Sequence, residues 1–180
     1  MIQIIFLSLH LLLALLVFFL VIAFLTGAPY VPSTHSVARS MIDLARLKKG
    51  MIVYDLGSGD GKLLLLAASL GARAVGIEIN PFLVLLSKLR SIGKNISVHW
   101  GSFWHADLRD GDILFIYLLP WRMENLAKLL IARAKPGALV VSNSFIFRDW
   151  KIIRQDKINH VYVFRLPTHR VCAKYNEYTI

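Results

Sequence analysis

Formal charge is missing from the start of this chain. No Asp, Glu, Lys or Arg occurs from Met1 to Ala38, and the first charged side chain is Arg39. The whole net charge of +10 therefore lies on residues 39–180. Cysteine is nearly absent as well. Cys172 stands alone, which excludes an internal disulfide and a thiolate metal cluster and fits a reducing compartment. The six histidines include no H-E-x-x-H pair or comparable ligand spacing, so no metal is expected. There is no dense Lys/Arg run, zinc-finger pattern or RNA-binding signature, and nucleic acid is not the expected partner. Internal repeats and low-complexity tracts are absent too.

The charge-free region holds one long apolar run. Ile4 to Leu25 reads IIFLSLHLLLALLVFFLVIAFL, 22 residues. As a helix rising ~1.5 Å per residue it would cover roughly 33 Å, close to a hydrocarbon core. Ser8 and His10 interrupt it mildly, and His10 lies near one end. A cleaved signal peptide would carry a basic leading region and a shorter apolar stretch of about 7–15 residues. Neither fits, so residues 1–27 are predicted to be an uncleaved transmembrane anchor, ended by Thr26-Gly27-Ala28-Pro29. Arg39, Arg46, Lys48 and Lys49 come after the run, whereas its leading side carries only the α-amino group. The positive-inside bias then predicts a single-pass membrane protein with its C-terminal part in the cytoplasm. The basic surface favours anionic lipid headgroups as its neighbour.

Residues 28–50 form a linking segment with a helix from Val37 to Lys48, for which Ser36 is the expected N-cap and Gly50 the expected stop. From Met51 onward strands and helices alternate. Strands are predicted at Met51–Asp55, Arg73–Glu78, Ile96–Trp100, Asp112–Leu118, Ala138–Phe145 and Ile158–Leu166. Helices are predicted at Lys62–Leu70, at Pro81 to about Ile92 with Asn80 as N-cap, and at Trp121–Ala134. This alternation over residues 51–166 predicts an α/β, Rossmann-like, doubly wound and mostly parallel sheet. A basic tail, 167–180, closes the chain. From Arg148 onward there are seven Lys/Arg against three Asp/Glu, a solvated face or a second contact with anionic headgroups.

Chemistry concentrates in Val53-Tyr54-Asp55-Leu56-Gly57-Ser58-Gly59-Asp60-Gly61, after one strand and before a helix. Glycines there permit positive φ and close backbone approach to a ligand. The spacing is G-x-G-x-G, with Lys62 where a dinucleotide fold places its third glycine beside a pyrophosphate. S-adenosylmethionine carries no phosphate. Its cationic end suits an acid at the end of the first strand, where Asp55 stands. Its ribose suits a second acid at the end of the next strand, where Glu78 lies 23 residues on. The bland alternative is a tight turn with Asp60 as a helix cap.

The chain resembles the membrane-anchored lysine N-methyltransferases whose eukaryotic members modify the ATP synthase c-subunit and the adenine nucleotide translocase, within the class I S-adenosylmethionine-dependent methyltransferases. The resemblance rests on Pro29-Tyr30-Val31-Pro32-Ser33, the glycine loop, Ala74-Val75-Gly76-Ile77-Glu78-Ile79-Asn80-Pro81, the Trp104 region, Tyr117-Leu118-Leu119-Pro120 and the Phe145, Phe147, Trp150 cluster. It implies a cofactor set of Tyr30, Pro32, Ser33, Asp55, Gly57, Ser58, Gly59, Gly61, Glu78, Asn80, Ser102 and Phe103. One departure stands out: relatives often place Asp after the third strand, where this chain has the neutral Ser102. Tyr117 and Pro120 are expected at the transfer site, with Asp60 as a polar participant. Trp104, Trp121 and Trp150 read as packing or membrane-surface residues.

Three functions compete at this level. The first is a protein-lysine N-methyltransferase acting on a membrane or membrane-proximal protein. The second is methylation of a lipid or small hydrophobic molecule. The third is a non-catalytic, membrane-tethered binding module.

Overall fold

Apolar, β-branched runs bounded by turn residues become strands in the computed structural model, which describes residues 2–26 and 33–167. In chain order, α1 (Ile2–Thr26) and α2 (His35–Ala45) precede β1 (Ile52–Leu56), α3 (Lys62–Ser69), β2 (Arg73–Glu78), α4 (Pro81–Arg90) and β3 (Ile96–Trp100). A 3-10 turn (Phe103–His105), β4 (Ile113–Ile116), a second 3-10 turn (Pro120–Arg122) and α5 (Met123–Arg133) come next. The last elements are β5 (Leu139–Asn143), β6 (Ile152–Asp156) and β7 (Val161–Arg165).

One sheet of seven strands runs in the order β3-β2-β1-β4-β5-β7-β6. β1 to β5 are parallel, while β7 is antiparallel to both β5 and β6. This is the expected doubly wound, mostly parallel sheet. The chain steps outward from β1 to β3, then returns to β1's other side with β4. Ligands bind beyond the carboxyl ends of strands at such a reversal.

Alternation along each strand feeds two cores. Val53, Ala74, Val98, Ile113, Phe115 and Val141 pack under α2 and α3, against Met41, Ile42, Leu64 and Ala67. Leu56, Ile77, Leu114, Ile116 and Val140 pack on the opposite face with Met123, Leu126 and Leu130 of α5.

Local chemistry shifts several boundaries. Thr34, not Ser36, caps α2: its Oγ1 accepts the Val37 N–H at 3.3 Å, and the Ser36 hydroxyl lies 2.9 Å from it. The helix stops at Ala45 because Arg46 takes a left-handed φ of 52° and its N–H turns back to the Asp43 carbonyl. Gly50, the expected stop, comes later. Asn80 does cap α4, its Oδ1 accepting from Phe82 N–H at 2.9 Å and from Leu83 N–H at 3.4 Å. That helix ends at Arg90 rather than near Ile92, and α5 begins only after a 3-10 turn over Pro120–Arg122.

β6 has no counterpart among the predicted strands. Arg154, Gln155 and Asp156 give it little apolar signal, and as an edge strand it pairs with β7 alone. Asp156 organises the hairpin: Oδ1 accepts the Ile158 and Asn159 N–H groups at 2.9 and 3.1 Å. Its Oδ2 accepts from Asn159 Nδ2 and from Ser40 Oγ of α2, both at 2.7 Å. Those hydrogen bonds, Asn159's first, hold its carboxyl down at about 2. β7 accordingly starts at Val161, not Ile158.

α1 is helical from Ile2 to Thr26, and its side chains are described over residues 3–18 and at 21. Ile4, Ile5, Phe6, Leu7, Leu9 and the apolar residues beyond them are exposed. Among the described residues no helix is long and apolar enough to cross a membrane. Of the expected transmembrane helix the structure therefore carries an exposed apolar helix. The tail 168–180, with Cys172, lies outside the described residues.

Candidate active site

The site grows from two neighbouring strands in register. Asp55 of β1 partners Gly76 of β2, so Glu78, two residues further along, stands on the same side of the sheet. Asp55 and Glu78 are 6 % and 7 % exposed. Between them runs the loop Gly57–Gly61. It is pinned at its middle, where Gly59 N–H donates to Glu78 Oε2 at 2.8 Å. The other oxygen, Oε1, accepts the Asn80 N–H at 2.8 Å. One carboxylate therefore ties the glycine loop to the head of α4.

Two glycines are required, one by its backbone conformation and one by its surroundings as well. Gly57 has φ +94°, a conformation that L side chains rarely adopt, although a Cβ there would meet nothing within 4 Å. Gly61 has φ +80°, and a Cβ there would collide with Ser87 Oγ of α4. The loop and α4 thus approach closely only because both residues are small.

Among the described residues no hydrogen bond reaches the Asp55 carboxylate. Burial, then the nearby charges of Glu78 and Asp60, push its carboxyl up to about 7. A cation placed beside it would relieve that. Glu78 uses one acceptor position on each oxygen, which leaves others for hydroxyl donors.

Gly101 N–H donates to the Glu78 carbonyl at 2.9 Å and brings Ser102 and Phe103 beside the end of β2. Ser102 Oγ accepts the Trp104 N–H at 3.4 Å, and Phe103 is buried. Ser33 reaches the loop from the other direction: its carbonyl accepts from Lys62 Nζ at 2.6 Å. Tyr30 and Pro32 lie outside the described residues. Ser58 is buried within the loop.

The residues expected at the transfer site separate. Asp60 faces α4, where its carboxylate is engaged by Arg90 Nη1 at 2.6 Å. Tyr117 comes directly after β4 and stacks on Phe145 with centroids 6.4 Å apart. Pro120 is exposed at the start of the second 3-10 turn. Of the tryptophans, Trp150 packs on Phe147 and Phe164, Trp104 lies tilted against Phe103, and Trp121 is exposed.

The structure adds residues that the sequence motifs do not single out. Ser142 of β5 partners Ile116 of β4, so Asn143 and Ser144 emerge beside Tyr117. Asn143 is buried, and Ser144 holds a φ of 68° with its hydroxyl 2.9 Å from Asn143 Oδ1. Strained backbone at a strand end is a common mark of functional sites. The signal available was Ser142-Asn143-Ser144, three polar residues closing an apolar strand.

On the other sheet face a cleft of about 360 Å³ is lined by Tyr54, Ile77, Trp100, Ser102 and Asp107, among others. It opens because the link from β3 to β4 makes a 3-10 turn and no helix. Its Tyr54 hydroxyl donates to Asp110 at 2.8 Å, and burial together with that acceptor pushes the phenol up to about 12. The cleft touches Ser102 but neither Asp55 nor Glu78. The strand ends with their paired carboxylates, rather than this cleft, define the site.

Residues 55–154 match the model of the ANTKMT methyltransferase domain. The chain is 33% identical over 161 residues to a protein-lysine N-methyltransferase of Saccharolobus islandicus, covering 82% of this chain and 99% of that one. It is 34% identical over 128 residues to the mouse adenine nucleotide translocase lysine N-methyltransferase, covering 68% of this chain and 56% of the relative. It therefore spans about half the length of that mammalian protein. Among solved structures, an RNA methyltransferase from Salinibacter ruber in complex with S-adenosyl-L-homocysteine superposes with a TM-score of 0.70 at 33% identity, covering 77% of this chain and 95% of that one.

Proposed function

The chain belongs to the ANTKMT methyltransferase-domain family, a fold that uses S-adenosylmethionine, and from that premise we propose that it methylates the side-chain amine of a lysine in a membrane or membrane-proximal protein. The observation that carries the reading is the pair Asp55 and Glu78, on adjacent strand ends with the glycine loop strung between them.

These residues fit the cofactor. When bound, S-adenosylmethionine supplies a methyl group on a sulfonium, an electrophile already activated. The buried, unbonded Asp55 carboxylate offers negative charge to a cationic partner. Glu78 retains acceptor positions for hydroxyls, and the backbone at Gly57 leaves room for close approach. Ser102 offers a neutral hydroxyl beside the end of β2.

On the acceptor side, Tyr117 and Phe145 form an aromatic wall beside the Asn143 and Ser144 oxygens. A free lysine, with a pKa of about 10.4, carries almost no neutral amine at neutral pH. Burial against those rings lowers that value, and the Ser144 and Asn143 oxygens orient the amine N–H groups. The proton is released to water.

In this proposal α1 anchors the chain in the membrane. Support comes from the uncharged run through Ala38, the exposed Ile, Leu and Phe side chains of α1, and the basic residues beyond it. It places the enzyme as a single-pass protein with its catalytic part on the cytoplasmic side. Protease added outside intact cells should leave the domain uncut; cleavage there would reverse the orientation.

The activity is tested with the full chain in detergent, native membranes and methyl-labelled S-adenosylmethionine. Label is expected on lysine Nζ atoms of membrane protein, located by mass spectrometry. Label confined to lipid, small molecules or RNA, or cofactor binding with no transfer, would replace this reading.

A further inference from the structure

α4 wears its apolar side outward. Val84 and Ser87 face the sheet, and Ser91 just beyond the helix is buried with them. The small serines are required there, because the glycine loop leaves no room for more: a Cβ at Gly61 would strike Ser87. At about 100° per residue, the opposite side of the helix carries positions 82, 85, 86 and 89. Those are Phe82, Leu85, Leu86 and Leu89, which are 67%, 59%, 44% and 58% exposed, and Ile92 after the helix is 73% exposed. Isolated exposed leucines are ordinary, but a contiguous apolar face on a helix marks an interaction surface.

Charge identifies the partner. On the helical wheel Lys88 and Arg90 fall on either flank of the apolar stripe, and Lys94 stands in the next turn; all three are exposed. Arg90 bonds Asp60 on its inner side, so the outward charge is that of Lys88 and of Lys94, whose exposed ammonium also donates to the Arg90 carbonyl at 2.8 Å. No acidic side chain lies on α4 or between it and β3. An apolar stripe bordered by cations is the pattern of a helix lying in an anionic membrane interface. Trp100 is 70% exposed at the head of this helix, its Nε1 donating to the Ile79 carbonyl at 3.0 Å. Indoles with one polar bond and an open ring favour the same interface.

We propose that the outer face of α4 docks on an anionic lipid bilayer, with the leucine stripe among the acyl-chain ends and Lys88 and Lys94 at the headgroups. Because α4 begins close behind Glu78, this docking holds the site's rim at the membrane surface. The inference rests on α4 itself and not on the methyl-transfer reading.

The test uses the full chain with Cys172→Ser, reconstituted in phosphatidylcholine vesicles with and without phosphatidylserine. Nitroxide labels are placed singly at Leu85→Cys, Leu89→Cys and, as a control, Arg109→Cys on the exposed β3–β4 link. Labels at 85 and 89 should become accessible to oxygen and shielded from a water-soluble nickel complex once phosphatidylserine is present, while the label at 109 stays in water. Lys88→Glu with Lys94→Glu should abolish that shielding. Cofactor binding, read separately, reports whether each variant is folded, and the depth reading stands whatever the methyl-transfer assay gives. Water-like readings at 85 and 89 in both vesicle types would overturn the proposal. So would spin–spin broadening at 85 or shielding in lipid-free detergent, which would assign the stripe to a second copy or to α1.

Discussion

Replacing Asp55 by Asn is expected to stabilise the ligand-free protein and weaken cofactor binding at once. The carboxyl is 6% exposed and titrates at about 7, against 3.8 in an unstructured chain. Below the lower value both states are protonated and burial costs nothing electrostatic. Between the two values the unfolded chain releases its proton first, the folded state holds more protons, and stability falls as pH rises. Above about 7 the penalty is complete. At about 1.36 kcal/mol per pKa unit it reaches at most ~4 kcal/mol, and an Asn with imperfect partners should recover about 2 kcal/mol. Denaturant unfolding at mildly alkaline pH reads this directly.

The same substitution removes the charge that a sulfonium or ammonium would meet. Loss of one partner of a buried charge pair costs roughly 2–5 kcal/mol, so affinity for S-adenosylmethionine should drop about a hundredfold in calorimetry. In the unmodified protein, affinity should climb about tenfold between pH ~6 and ~8, with proton release on binding at the lower pH. A less stable Asn variant with unchanged affinity would remove Asp55 from the site.

Glu78→Gln should move stability the other way. The carboxylate accepts two backbone N–H groups, from Gly59 and Asn80, each at 2.8 Å. A glutamine has one oxygen, and its amide nitrogen would face the remaining N–H donor. Hydrogen bonds to charged groups contribute about 1.5–3 kcal/mol each, so a loss of about 2 kcal/mol is expected. Faster hydrogen exchange at Gly59 and Asn80 should accompany it. Cofactor affinity should fall at least ~100-fold, because the loop and an acceptor for ligand hydroxyls fail together. Since Asp55→Asn stabilises while Glu78→Gln destabilises, their contrast separates a charge held for a ligand from a strut of the fold. Equal stability changes in the two variants would refute that division.

Much of the site is legible without coordinates. The predicted ends of β2 and β3 coincide with the observed ones, and Asn80-Pro81 announces the start of α4. Asp55, the three glycines and Glu78 can be paired because parallel strands of similar length bring their ends together. The polar run Ser142-Asn143-Ser144 is visible in the sequence, but its place beside Tyr117 is not, because no local pattern says which strand ends are neighbours. Nor is β6, because an edge strand buries too little to require an apolar run. The cap of α2 falls on Thr34 rather than Ser36 because both hydroxyls suit the position, and the turn before the helix chooses between them.

The chain's chemistry alone therefore determined the alternation of strand and helix, the glycine loop and the acids beside it, since each depends on neighbours a few residues away. Tertiary structure decided which way α4 turned. Its leucines have the same helical period whether buried or exposed. Only the close approach of Gly61 to Ser87 shows that the serines had to face inward and the leucines out.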